Sequence, residues 1–394
     1  MGRLLVLLFV YLSAYLVLRR LWPGVIRGWR HGVLLGLMGL SFAAWLVPAL
    51  TGYGLHHTPP LLVPVKLFAV SWSIASLLVM LLGLPLLGMS LWGARRRQST
   101  PPPVNLERRG LLVKAGQAMP VLAVSASSVG VAGGSLGFTV REVEVKLRGL
   151  PAALEGFRIG QITDVHVGPF ISPEYLRGAV DAMNAAGVDL QVMTGDLIDD
   201  VGQVDATMAA LASNTARHGM LAVLGNHEHW RGLEEVLGGY EALARRNAPV
   251  RLLVDETQVL EHAGQRIRVV GVDYPMSRSR SGRSQRVRDE RMKESAEASF
   301  QGGDPDDFVL CLSHHPDFFS HAAQRGARLT LAGHTHGGQV AFLGIPLFGF
   351  AFKHMLGRYR FRDSHLYVSG GTGHWLPFRI GVPPEVTLLT LRGA

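Results

Sequence analysis

Five polar clusters, each placed just after a short apolar run, carry the residues best suited to chemistry. They are Asp164-Val165-His166, Gly195-Asp196, Gly225-Asn226-His227-Glu228, Ser313-His314 and Gly333-His334-Thr335-His336. Carboxylate, carboxamide and imidazole donors without a thiolate suit divalent or trivalent first-row metals such as Mn, Fe or Zn. The seven donors Asp164, His166, Asp196, Asn226, His314, His334 and His336 exceed what one ion needs. Two ions sharing a carboxylate use them all. Such a pair, about 3.5–4 Å apart, clamps a phosphoryl group and converts a bound water to hydroxide at neutral pH. The expected chemistry is in-line attack of that hydroxide, with charge on the equatorial oxygens neutralised by metals and nearby donors. Other nucleophiles are poorly represented. The lone Cys311 lies within Phe-Val-Leu-Cys-Leu and reads as a small core residue. Neither a Gly-x-Ser-x-Gly elbow nor a Walker-type glycine loop occurs.

These clusters need elements that bring them together. The runs Phe157–Thr163, Leu190–Thr194, Met220–Leu224, Phe308–Leu312 and Arg328–Ala332 read as buried strands, preceded by an alternating strand over Arg141–Leu147. Helical patterns separate the early ones. Ser172-Pro173-Glu174 opens a helix with a capping hydroxyl and a first-turn proline, and Gly187 closes it. Asp205–Arg217 and Leu233–Ala248 are further candidates. Alternating strands and helices build a mostly parallel sheet, which gathers its ligands at the carboxyl ends of the strands. Five clusters at five strand ends therefore converge on one site.

Asp-x-His, Gly-Asp-x-x-Asp, Gly-Asn-His-Glu, a lone His after a strand and Gly-His-x-His, in that order, resemble the calcineurin-like metallophosphoesterase superfamily over roughly residues 140–394. The extension His336-Gly337-Gly338-Gln339, with Leu366-Tyr367-Val368-Ser369 and Leu376-Pro377-Phe378-Arg379, is similar to a membrane-anchored bacterial branch. The resemblance implies an α/β fold, an α-β-β-α sandwich with two packed sheets. It implies that Asp164, His166 and His336 hold one metal, that Asn226, His314 and His334 hold the other, and that Asp196 bridges them. His227 would donate to the phosphate or protonate the leaving oxygen. Asp199 would orient His227 or its neighbours. Purple acid phosphatases carry a Tyr ligand where this chain has Asp199, which argues against their Fe(III)–Tyr chemistry. His314, directly after Ser313, is read as the donor in preference to His315, and His229 and His315 as neighbours.

Charge and hydropathy divide the chain near residue 137. Met1–Gly137 contains twelve of the 39 Lys and Arg residues but one of the 30 acids, Glu107, so its balance is +11 and that of the remainder is −2. A basic pI usually points to nucleic acid; here the charge lies beside long apolar runs, and no nucleic-acid partner is expected. Leu4–Leu18, Val33–Leu50, Leu61–Trp92 and Leu111–Phe138 are candidate spans, giving residues 1–137 as a membrane domain of about four helices and 138–394 as the catalytic domain. No Asp or Glu interrupts the apolar runs, which disfavours transport. Arg19, Arg20, Arg27 and Arg30 follow the first run, and Arg95–Arg97 with Arg108 and Arg109 precede the fourth. Positive-inside logic puts both loops in the cytoplasm. If Leu111–Phe138 crosses, the catalytic domain is extracytoplasmic; if not, it is cytoplasmic. Glu107–Lys114 also resembles a twin-arginine export signal, with an ordinary basic flank as the alternative, and either supports export.

The resulting expectation is an enzyme of the bacterial inner membrane, with its catalytic domain on the extracytoplasmic side. It would hydrolyse a phosphodiester or pyrophosphate bond in a lipid-linked or envelope substrate. The partners are a phosphorylated small molecule or lipid-linked substrate and the lipid bilayer. A broad-specificity phosphomonoesterase is the alternative within the class. A non-catalytic membrane receptor on the same fold is the alternative outside it, and such a domain would be expected to lose ligands. Two segments bear on substrate. Ser277–Arg291 carries six arginines, and Arg278, Arg280 and Arg283 are candidate substrate contacts on a lid; a solvated loop is the other reading. Val340–Leu356 is too apolar for an ordinary loop and is either core or a surface for membrane or lipid.

Overall fold

The computed structural model describes residues 2–24, 26–51, 59–96, 106–276, 285–347, 349–350 and 352–394. The chain forms two compact units, residues 1–135 with 376–378, and residues 136–375 with 379–394.

The first unit contains helices α1 (Gly2–Leu21), α2 (Trp29–Thr51), α3 (Val63–Arg96) and α4 (Leu106–Ser135). Each holds a window long and apolar enough to cross a membrane, that of α4 being Ala118–Ser135. Their inward and outward faces are both apolar. Ala14, Val17 and Leu18 of α1 pack with Val79 of α3 and Ala123 of α4, while Leu5, Phe9, Leu12 and Leu16 of α1 are exposed. That all-round hydrophobicity distinguishes a lipid-facing helix from an amphipathic one. Inside, hydroxyls join helices: the Tyr11 hydroxyl contacts Ser73 Oγ at 2.9 Å, and Trp45 Nε1 donates to the same oxygen at 3.2 Å. Lys66 is buried in α3, and none of the described residues of α1–α3 is acidic. Four helices of this kind fit a membrane anchor.

The second unit is a two-sheet sandwich. Its strands are β1 (Thr139–Leu147), β2 (Arg158–Ile162), β3 (Leu190–Thr194), β4 (Met220–Val223), β5 (Val250–Leu252), β6 (Glu256–His262), β7 (Gln265–Gly271), β8 (Phe308–Leu312), β9 (Leu329–Ala332), β10 (Ala341–Phe342), β11 (Ile345–Pro346), β12 (Gly357–Phe361), β13 (Ser364–Val368) and β14 (Glu385–Gly393). One sheet runs β1-β14-β2-β3-β4-β5 and the other β12-β13-β9-β8-β7-β6. β2 to β5 pair in parallel, as do β7, β8, β9 and β13. Alternation along each strand sets its two faces. Leu190, Val192, Leu221 and Val223 point inward to meet Ile267, Val269, Leu310, Leu312, Leu329 and Leu331 of the other sheet.

The outer faces are covered by helices. α5 (Pro173–Ala185) buries Leu176, Ala179, Val180 and Met183, one stripe at helical spacing, against the first sheet. Its cap is the one read from sequence: Ser172 Oγ accepts from Tyr175 N, and the chain leaves through left-handed Gly187. α6 (Val204–Leu211), α7 (Asn226–Arg231) and α8 (Leu233–Arg245) follow, and α9 (Gln285–Ser299) and α10 (Phe319–Gln324) cover the second sheet through Met292, Ala296 and Ala322. The helix expected over Asp205–Arg217 stops at Leu211. Asn214 ends it, donating to Pro249 O at 2.8 Å and accepting from Ala216 N at 2.8 Å; this local bonding competes with the helical ladder.

Candidate metal centre

Parallel pairing places the ends of β2, β3 and β4 side by side in one sheet and those of β8 and β9 together in the other. The turns after them carry Asp164 and His166, Asp196, Asn226, His314, and His334 and His336. Their backbone is unusual. Asp164, His166, Asp196, His334 and His336 all adopt left-handed conformations, with φ between 49° and 74°. Non-glycine residues pay for that geometry, and it persists where the surroundings impose it, often at functional sites. The glycines of the motifs serve the same crowding. A Cβ on Gly333 would overlap Asp164 Oδ2 and Thr163 Oγ1, and one on Gly225 would overlap Asp196.

Three groups of donors arise, each with its atoms within 4.8 Å of one another: Asp164, His166 and His336; His166, Asp196 and His227; Asp196, His314 and His334. Asp196 belongs to two of them. Its Oδ2 lies 3.2 Å from His314 Nε2 and 3.8 Å from His166 Nε2, the position of a bridging carboxylate. His166 Nε2 and His336 Nε2 face each other at 3.1 Å, and His314 Nε2 and His334 Nδ1 at 3.2 Å. Converging imidazole lone pairs repel one another unless a proton or a cation lies between them. Asn226 Oδ1 is buried without a hydrogen-bond partner among the described residues. An orphaned acceptor of that kind is costly unless something electropositive sits before it. The residues thus fit a pair of metal ions. His314 also donates from Nδ1 to Thr194 O at 2.7 Å, which leaves Nε2 for the site. Burial alone would lower the pKa of His314, but the Asp196 and Asp164 carboxylates push it up to about 9 in the protein alone.

His315 stands outside the donor group. Its Nδ1 accepts from Asp317 N at 3.2 Å, and its Nε2 meets Arg288 Nη1 at 2.9 Å. His229 turns away to Asp273 Oδ1 at 2.9 Å. Arg278, Arg280 and Arg283 lie outside the described residues, whereas Arg286 and Arg291 pair with Glu290 and Glu294 along α9.

His227 borders the donors at the start of α7. Its Nδ1 contacts Asp199 Oδ1, its backbone N–H donates to Asp196 Oδ1 at 2.8 Å, and its Nε2 is 3.9 Å from Asp196 Oδ2. Asp199 Oδ1 also lies 3.4 Å from His166 Nδ1, so one carboxylate aligns both a donor and the candidate acid. Burial raises the pKa of Asp199, but its hydrogen bonds with His166 and His227 outweigh burial and hold it well below the usual carboxylate range.

Three residues matter for reasons that sequence did not reveal. Glu228, within the Gly-Asn-His-Glu block, accepts backbone N–H groups from Asp196 (3.1 Å), Leu197 (2.6 Å), Ile198 (3.2 Å) and Gly225 (2.7 Å), locking two donor loops together. Arg379, buried, lies 2.9 Å from His336 Nδ1 and donates to Gly370 O and Gly373 O at 2.6 Å each. Trp230, one turn beyond Asn226, is 60% exposed with its ring 5.1 Å from that of His227. A Glu three residues after a helix-capping Gly is the only local signal for the first.

Residues 157–338 match the family model for calcineurin-like phosphoesterases. A metallophosphoesterase of Bacillus subtilis (strain 168), YkuE, is 27% identical over 64% of this chain and 84% of its own length. A metallophosphoesterase of Helicobacter pylori (strain ATCC 700392 / 26695) is 28% identical over 58% of each chain. A transmembrane protein with metallophosphoesterase domain from Danio rerio is 29% identical over 65% of this chain and 57% of its own. The chain thus spans a little over half the length of the last two. Among solved structures, a dimetal phosphatase from Danio rerio aligns with a TM-score of 0.33 and 16% identity over 55% of this chain and 88% of that one. The residues matched by that model are the ones that carry the clustered donors, so the second unit resembles a calcineurin-like phosphoesterase domain, and its donor groups support a metal-dependent phosphoesterase.

Proposed function

We propose that the chain is a membrane-anchored hydrolase of a phosphodiester or pyrophosphate bond in a lipid-linked or envelope molecule. Its catalytic unit faces the extracytoplasmic side of a bacterial inner membrane. The observation that carries the reaction class is the setting of His227, whose Nδ1 is tied to Asp199 while its Nε2 is turned toward the donors. A diester or pyrophosphate releases an alkoxide or phosphate oxygen that takes up a proton, and a histidine so held, when doubly protonated, keeps its Nδ1 proton on Asp199 and gives its Nε2 proton there. Two bound metals would supply charge neutralisation at the phosphoryl group and acidify the attacking water. Asp199 accepts from Nδ1 and favours the imidazolium form of His227, the form with a proton on Nε2 to give, and Trp230 offers an apolar wall beside the His227 ring. The sidedness rests on the arginine-rich connections flanking α1, α2 and α4; the lipid-linked class rests on the anchor.

The test uses the full chain in detergent with Mn²⁺. Bis(p-nitrophenyl) phosphate should be turned over faster than p-nitrophenyl phosphate. Faster monoester turnover would instead favour a broad phosphomonoesterase. In cells, a periplasm-active reporter fused at the carboxyl end should be active; activity only of a cytoplasmic reporter would reverse the sidedness.

A further inference from the structure

The charged site has an apolar appendage. From His336 the chain passes through Gly337 (φ 58°) and Gln339 (φ 60°), both left-handed, into the hairpin β10–β11. Its base is fixed: Ala341 N donates to Ile380 O at 2.7 Å and Leu347 N to Val340 O at 2.9 Å. Its tip is not covered by the domain. Phe342 is 69% exposed, Leu343 87%, Ile345 71% and Leu347 56%. The far end of the segment returns to the site, where the Phe352 ring lies 5.6 Å from that of His334 and 6.3 Å from that of His315. A donor residue and a ring packed on another donor therefore bracket the hairpin.

Residues 337–352 contain no charged side chain, and the next residue, Lys353, is exposed. Four large apolar side chains displayed within six residues, with a cation at the border, make an interfacial anchor, not an ordinary loop. The chain itself supplies the reason for a bilayer. Four of its helices are long and apolar enough to cross one, and only three residues, Leu136–Phe138, separate the last of them from β1. An apolar turn rooted in a phosphoesterase site meets a ligand with the same two-part chemistry, a phosphoryl group joined to an acyl or prenyl chain.

We propose that the β10–β11 hairpin inserts into the hydrocarbon boundary of the bilayer and guides the chain of a membrane-borne phosphoester, so that its phosphoryl group reaches the donors from the membrane plane. The substrate part rests on the lipid-linked reading above; the insertion does not. Cys311 is fully buried, so full-length Leu343→Cys carries one accessible thiol. After labelling with bimane and reconstitution into phosphatidylcholine–phosphatidylglycerol vesicles, its fluorescence should be quenched by doxyl-labelled phosphatidylcholine and spared by aqueous iodide. The exposed turn variant Asp363→Cys should behave oppositely. Iodide quenching without lipid quenching at 343 overturns the proposal. So does disulfide cross-linking of position 343 between copies, which would make the hairpin a contact with a second chain. In a second arm, Phe342→Ser with Ile345→Ser should lower turnover of a vesicle-borne phosphodiester about tenfold or more relative to bis(p-nitrophenyl) phosphate, the factor expected for removing one buried large apolar side chain. An unchanged ratio overturns guidance of the chain. Lipid quenching with no turnover of any vesicle-borne phosphoester overturns the substrate reading and leaves insertion standing.

Discussion

Asp199 shows how much a single carboxylate can organise. It contacts His227 and lies 3.4 Å from His166 Nδ1, so it couples the candidate acid to a candidate ligand. Two substitutions separate these duties. His227→Ala should leave metal content intact and lower kcat by roughly 10²–10⁴, the usual worth of a general acid. Asp199→Ala should lower metal affinity as well, by about 10–100-fold, because it releases His166. Steady-state kinetics with metal analysis of the purified variants reads both. Unchanged turnover in His227→Ala would remove the acid from the mechanism.

At the scale of elements, the site is a junction between loops, and Glu228 is the joint. From the first turn of α7 it accepts four backbone N–H groups, three of them in the loop after β3. Each such group left buried and unpaired costs about 1–3 kcal/mol. Glu228→Ala should therefore destabilise the domain by about 3 kcal/mol or more and disturb both Asp196 and Asn226. Glu228→Gln, which keeps one oxygen acceptor but adds a donor against N–H groups, should fall between. Denaturant titration of the variants checks the order, and equal stability of Glu228→Ala and the parent would contradict the role. The hairpin β10–β11 makes the opposite choice, spending apolar side chains on exposure.

For the whole molecule, metal and fold are linked through protons. In the metal-free domain His314 has its pKa raised to about 9 because the Asp196 and Asp164 carboxylates outweigh burial. Its contribution to stability is complete below about pH 6.5, the unfolded value, and is lost as pH rises through about 9. A metal needs the neutral ring, so its binding releases that proton and strengthens over the same interval. The difference in Tm between metal-loaded and chelator-treated protein should widen from pH 6.5 to pH 9. A constant or narrowing difference would mean that His314 is not a ligand. Chelation should leave α1–α4 helical, since the metal donors all lie in the second unit.

Much of this was legible in the chain. Short apolar runs ending in Asp, Asn and His specified strands and donors because burial and period-two alternation act locally, and strand–helix alternation specified parallel pairing. β3 and β8 begin and end where their apolar runs do. The four helices long and apolar enough to cross a membrane were equally legible, since that capacity is a matter of length and composition. Other features depend on through-space neighbours. His314 and His315 are adjacent and chemically identical; the sequence favours the first by its place directly after Ser313, and in space Asp196 and Thr194 approach the first whereas Asp317 and Arg288 hold the second. The reach of Glu228 to a loop some 30 residues away, and of Arg379 to His336, has no local signature. Val340–Leu356 had two readings of equal standing, core or surface. Tertiary structure divided the segment between them: Ala341 and Met355 are packed while Phe342, Leu343 and Ile345 are left outside, because burial is a property of what surrounds a residue, which composition does not contain.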